Sequence, residues 1–156
     1  MRRLTLIFIV CLAVLSGCSP AKQLYIDKIS LSGFRMESST EANVTFDFLV
    51  NNMAQYPISL TFMEATIKKD MDLFAFISLE DTATVAPLAK EHVKVPIDIT
   101  LCDPMSLLSM GLNISKWDIN AFTISGKVSL AGKNGSKHTH KIKEMPLGTL
   151  LKRLEK

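Results

Sequence analysis

The sequence predicts a mostly-β domain, an antiparallel immunoglobulin/fibronectin-like β-sandwich of about seven strands with one short crossing helix and a short C-terminal helix. Three observations predict it. Apolar residues recur with period two in run after run. Turn-forming residues separate the runs at intervals of roughly 8–12 positions, the spacing of a sandwich. After a cleavable leader, 139 residues remain (156 − 17), enough for one domain with a real core.

Taken in order, Leu24 and Ile26, then Ile29 and Leu31, make a first strand with a change of phase between them. Val44, Phe46, Phe48 and Val50 alternate cleanly with Asn43, Thr45, Asp47 and Leu49. Ile58, Leu60 and Phe62 form the next run, and the phase then moves to Met63, Ala65 and Ile67, as a bulge would cause. Leu73 to Leu79 reads as a short edge strand. Val93, Val95, Ile97, Ile99 and Leu101 alternate around Pro96, which lacks a donor and so belongs at an edge or with its nitrogen pointing out of the ladder. Phe122, Ile124, Gly126, Val128 and Leu130 come next. Asn134-Gly135, both tolerant of positive φ, turn the chain into a partner strand over 137–145.

Two helices interrupt the strands. Asp103 can cap a helix beginning at Pro104 and ending by Gly111, with Met105, Leu108 and Leu112 on one face. Leu147, Leu150, Leu151 and Leu154 fall at i, i+3, i+4 and i+7, opposite Lys152, Arg153 and Lys156.

The N-terminus is a leader in three parts: Arg2 and Arg3, the apolar run Leu4 to Leu15, then small residues at Ser16 and Gly17. As a helix the run spans ~18 Å, short of the ~30 Å bilayer core. Leu15-Ser16-Gly17-Cys18 resembles the bacterial lipobox. That resemblance implies cleavage between Gly17 and Cys18, with the Cys18 sulfur carrying diacylglycerol and a palmitate-type chain on its new amino group. At about 0.8 kcal/mol per buried methylene, two or three such chains hold a small protein to a membrane for good. The organisation is therefore 1–17 signal peptide, 18–24 lipidated tether, 25–148 β-sandwich and 149–156 short amphipathic basic tail. Ser19, rather than Asp, follows the cysteine; under enterobacterial sorting this favours the outer membrane, facing the periplasm.

Charge is uneven. Residues 18–126 hold 8 basic and 13 acidic side chains, a net of −5; residues 127–156 hold 8 and 2, a net of +6. Interleaved lysines on strands read as a solvated face in the first instance, and as a contact for anionic lipid or an acidic partner in the second. No nucleic-acid motif accompanies them. Cys11 leaves with the leader and Cys18 is acylated, so Cys102 has no intramolecular partner and disulfide chemistry is not expected.

A search for chemistry finds little. His138 and His140 share one strand face, as two metal ligands could, but no third ligand is placed beside them; solvated histidines are the expectation. Cys102 with His92 is a thiol–imidazole pair only on paper, since Cys102 closes an apolar strand and reads as a buried hydrophobe. Asp70 with Asp72, and Glu80 with Asp81, lack calcium-loop spacing. Methionines 36, 53, 63, 71, 105, 110 and 145 are scattered as core filling. No phosphate loop or nucleophile elbow occurs. The expectation is no enzyme, no catalytic residue, no metal and no cofactor.

The order of elements resembles the group-two late embryogenesis abundant family, the water-stress and hypersensitive-response domain. The resemblance rests on Val44-Thr45-Phe46-Asp47-Phe48-Leu49-Val50-Asn51-Asn52, on Tyr56-Pro57-Ile58, and on Val85-Ala86-Pro87 leading to Val93-Lys94-Val95-Pro96-Ile97. The helix at 104–110 and the strand from Phe122 to Val128 follow in order, so the match covers about residues 25–148. The family's Asn-Pro-Asn is absent, because Met53 follows Asn51-Asn52. The resemblance implies a fibronectin-like sandwich without catalytic residues, and stress protection by analogy alone. Together these readings give a lipid-anchored envelope protein, non-enzymatic, that binds an envelope partner or plays a structural or stress-protective part. The alternative is a carrier of a small apolar ligand or an accessory factor in outer-membrane assembly.

Overall fold

The computed structural model describes residues 21–110 and 116–149. The leader, Gly17 and Cys18 lie outside the described residues, as do Gly111, Leu112, Leu150, Leu151 and Leu154. The described strands are β1 (Leu24–Met36), β2 (Glu41–Asn52), β3 (Ile58–Lys69), β4 (Asp72–Leu79), β5 (Ala83–Val85), β6 (Lys90–Leu101), β7 (Phe122–Ala131) and β8 (Lys137–Pro146), and the α-helix α1 spans Pro104–Met110. Every pairing is antiparallel, in the order β1-β2-β6-β4-β3-β7-β8, and β5 pairs with the first part of β3. One sheet therefore folds over itself. Its wings, β1-β2-β6 and β3-β7-β8, face each other, and β4 is the fold line.

The count is eight described strands rather than about seven. The extra one, β5, has three residues and too little sequence for any periodicity to show. β4 is not an edge strand: it pairs with β3 through Glu64–Lys69 and with β6 through Ile97–Leu101. Its weak alternation reflects a corner position, where neither face is uniformly covered. Pro96 sits where β4 has just ended. Glu80 N–H donates to the Pro96 carbonyl at 3.0 Å, so the nitrogen without a hydrogen faces the same gap and costs the ladder nothing.

The core is one apolar cluster fed by both wings. Phe48 and Ile97 on one side and Met63, Ile124 and Leu130 on the other are almost wholly buried. Bulges keep the apolar set facing inward. Opposite β7 the register shifts between Leu60 and Phe62, so Leu60 and Met63 both point into the core and Phe62 is turned out. Where β3 meets β7, Gly126 lies opposite Ala65; a Cβ on Gly126 would come within 2.4 Å of the Glu64 carbonyl, so glycine is required there. The Asn134-Gly135 hairpin forms with both residues at positive φ. Asp70 and Met71 make the β3–β4 turn in the same way without a glycine.

The two ends of the sandwich differ in how they are secured. At the end where β1 begins, which we call the tether end, Asn52 is fully buried. Its amide nitrogen donates to the Tyr56 and Ala86 carbonyls, both at 3.0 Å, and its oxygen accepts from Ala54 N–H at 2.9 Å. One side chain thus ties the β2–β3 loop to the β5–β6 loop. At the far end Trp117 stacks on Phe122 at 5.7 Å, and Phe74 meets both edge-on, which pins the segment after α1. There Asp103 caps α1 as expected. Its Oδ1 accepts Ser106 N–H at 2.9 Å, and hydrogen bonds from the Ser106 hydroxyl and backbone hold the carboxyl below the ordinary range. Leu147 is buried, and residues 147–149 are helical. Among the described residues no helix is long and apolar enough to cross a membrane.

Removing the Asn52 amide takes a hydrogen-bond partner from the Tyr56 and Ala86 carbonyls and from Ala54 N–H. Asn52→Ala is expected to lower unfolding free energy by about 2 kcal/mol or more, read from urea denaturation; Asn51→Ala, one position along and less buried, is the control.

Candidate functional site

The polar side chains gather in small groups, each with a structural task. Asn43 donates its amide to Glu80 and, at 3.0 Å, to Asp98. Each acid takes one N–H, and the trio fastens the β4–β5 connection to the outer face of β2 and β6. His92 Nδ1 lies 2.7 Å from Asp47 Oδ1, and Lys90 is 2.5 Å from Asp27, both on strand surfaces. Cys102 is exposed, not buried. The ladder ends at Leu101, and the chain then turns toward α1 with Cys102 N–H on the Phe74 carbonyl. His92 and Cys102 stand near opposite ends of β6, ten residues apart, or ~33 Å at strand rise, so no thiol–imidazole pair exists.

His138 and His140 do share a face, but it is the inner one: they pair with Leu130 and Val128 and are half-buried rather than solvated. Among the described residues no three His, Cys, Asp or Glu side chains come together as a metal site. The Asp70–Asp72 and Glu80–Asp81 pairs likewise stay apart as ligands; Asp70 is bonded to Lys69 at 2.9 Å.

What the described surface offers is apolar. β1 carries two bulges, at Asp27 and at Ser32, marked by its register against β2. Together they keep Leu24, Ile26, Ile29, Leu31, Phe34 and Met36 on the inner face, opposite Asn52, Val50, Phe48, Phe46, Val44 and Ala42. Cover fades along the strand. Leu24, Ile26 and Ile29 pack on the core, whereas Leu31, Phe34 and Met36 are 40%, 63% and 56% exposed. The sequence signals the first bulge through the phase change after Ile26, and the second lies beyond the run that alternation reveals. Met36, expected as core filling with the other methionines, is exposed, as are Met53, Met71 and Met105, while Met63 is buried and Met110 and Met145 pack against the core.

The β3–β4 turn and α1 reach the same far end, where Leu101 N–H bonds Thr40 O and Asp70 N–H bonds Ala121 O. They add Leu73, Met105 and Leu108, all exposed. The apolar face expected for α1 therefore looks outward rather than into the core. Apolar side chains thus rim one end of the sandwich beside β1, which among the described residues pairs on one side only; such an arrangement can accept a partner by apolar contact or by strand addition.

The second feature is a cavity of about 70 Å³ between the wings at the tether end. Leu24, Ile26, Phe48, Val50, Val93 and Leu130 are among its lining residues, all of them apolar. Pockets for drug-sized ligands run to roughly 300–1,000 Å³, so this space fits a branched end of a few carbons and no long chain.

No protein-family model matches the sequence, nor does any curated protein. Among solved structures, a protein from Archaeoglobus fulgidus is similar at 11% identity and TM-score 0.46, covering 78% of this chain and 97% of that one. The GAE domain of GGA2p from Saccharomyces cerevisiae follows at 15% identity and TM-score 0.36, covering 83% and 90%. The putative ApaA protein from Bordetella pertussis has 13% identity and TM-score 0.39, covering 78% and 89%. The architecture stated above rests on strand pairing and not on these likenesses.

If the apolar rim is surface rather than damaged core, Phe34→Ser changes unfolding free energy by about 0.5 kcal/mol or less. Phe48→Ala, by contrast, costs about 3–5 kcal/mol. Equal losses at the two positions in thermal and urea unfolding would contradict the assignment.

Proposed function

We propose that the chain is a lipid-anchored, non-enzymatic binding module of the bacterial envelope, held by acyl chains on Cys18, with the late-embryogenesis-abundant-like sandwich as its body. The uncovered row Leu31, Phe34 and Met36 carries this reading. A strand that spends two bulges keeping apolar side chains on one face, and then leaves half of them wet, is arranged for contact with something else. The partner is an envelope protein offering an apolar segment, and the outer membrane facing the periplasm is the place proposed for the pair. Several described ionisable groups sit in local pairs on separate surfaces, His92 with Asp47 and Lys90 with Asp27 among them. Stress protection adds nothing that the residues themselves argue for.

A second reading, a carrier of a small apolar ligand, draws on the apolar cavity between the wings. Its size restricts the cargo to short branched groups unless the wings part, so the binding-module reading is preferred.

Two measurements test the proposal together. Wild-type protein is expected to incorporate palmitate and Cys18→Ala is not. A photo-crosslinking benzoylphenylalanine at position 34 or 108 is expected to give one discrete adduct in intact cells, and none at position 127 on the opposite wing. Labelling of Cys18→Ala, or no adduct from either rim position, contradicts it.

A further inference from the structure

We infer that the tether end of the sandwich rests on the bilayer surface, with Met53 and Leu88 in the lipid interface and Lys22, Lys133 and Lys137 over anionic headgroups. The inference builds on acylation of Cys18 as proposed above. Four residues separate Cys18 from Gln23. Fully extended, that link would reach ~17 Å, and Ala21–Gln23 form a 3-10 helix that shortens it, so an acylated cysteine keeps this end close to lipid. The lead-in is not loose at its inner end: the Gln23 carbonyl accepts Met53 N–H at 2.8 Å, which ties the incoming chain to the β2–β3 loop. Leu88 N–H donates to the Ala54 carbonyl at 2.9 Å, and Asn52 N–H to the Ala89 carbonyl at 2.8 Å, so the next loop is stitched to the same place.

These two stitched loops each end in a bare apolar side chain. Met53 is 57% exposed and Leu88 67%. Leu88 also has φ of +51°, a left-handed backbone that a γ-branched residue adopts only at a cost. Neither core packing nor turn geometry calls for leucine there; glycine or asparagine would suit the turn better. A lipid interface does call for it.

Charge agrees. Lys22 and the β7–β8 hairpin residues Lys133 and Lys137 are exposed at this end. Of the neighbouring acids, Asp27 is paired with Lys90, Glu91 accepts Ala86 N–H at 2.6 Å, and Asp81 accepts Thr82 N–H. Glu91 and Asp81 keep their charge while bonding backbone N–H, but the three exposed lysines outnumber them, so this end offers a net positive face to an anionic surface. Seated this way, the molecule points the rim at Phe34 and Leu108 away from its own membrane.

The test uses full-length acylated protein in vesicles of phosphatidylethanolamine and phosphatidylglycerol. In a Cys102→Ser background, single cysteines at 53, 88, 34 and 105 carry an environment-sensitive NBD label. Blue-shifted emission and quenching by spin-labelled lipid are expected at 53 and 88, and neither at 34 or 105. Leu88→Gly keeps or raises thermal stability while weakening quenching at 53. If mass spectrometry shows acyl chains on Cys18 but 88 is quenched no more than 105, this orientation is wrong and the anchor stands. If no acyl chain is found, both fall.

Discussion

One sheet folded over itself must keep all its apolar side chains on the same face through seven strand neighbours, and the rest of the molecule follows from how it does so. In a period-two structure a slip of one residue turns every side chain over. The protein meets this with inserted residues rather than with an unbroken pattern. Asp27 and Ser32 take up the slack in β1, and the residue between Leu60 and Phe62 does so in β3. The bulges make the core continuous across the two wings. They also carry the inner face of β1 past the end of its cover, and that overshoot is what becomes the apolar rim.

The ends of the sandwich then take on separate characters. At the tether end a single buried amide, Asn52, replaces a layer of packing, and the loops it joins hold the incoming chain. At the far end three aromatic rings and a capped helix close the core, and α1 turns Met105 and Leu108 to water. An end whose loops are stitched together and a far end with bare apolar side chains are the two features from which the proposed binding module is argued.

Much of this was legible in the residues. Strong alternation placed β2, β6 and β7, Asn134-Gly135 placed the last hairpin, and Asp103-Pro104 placed the helix start, because each signal is local. What escaped depends on neighbours far along the chain. β5 is too short to show a period. β4 looked like an edge because its pattern is weak, whereas it is weak because the sheet bends there. Cys102 looked buried from the strand before it, yet the chain has already left the ladder. Asn52 carries no local signal of its own; that its side chain is sealed among the backbone of Ala54, Tyr56, Val85 and Ala86 cannot be seen without the second loop. The exposure of Phe34 and Met36 was invisible for the same reason: apolar residues look alike in sequence whether or not anything covers them.

The most direct test of the account is the cross-strand pairing of β1 with β2, read as nuclear Overhauser contacts in an isotope-labelled sample. The account predicts Phe34 opposite Val44 and Leu31 opposite Phe46, with Asp27 and Ser32 left without partners. A register moved by one, with Phe34 opposite Asn43 or Thr45, would place that ring on the outer face and remove the rim on which the proposed function stands.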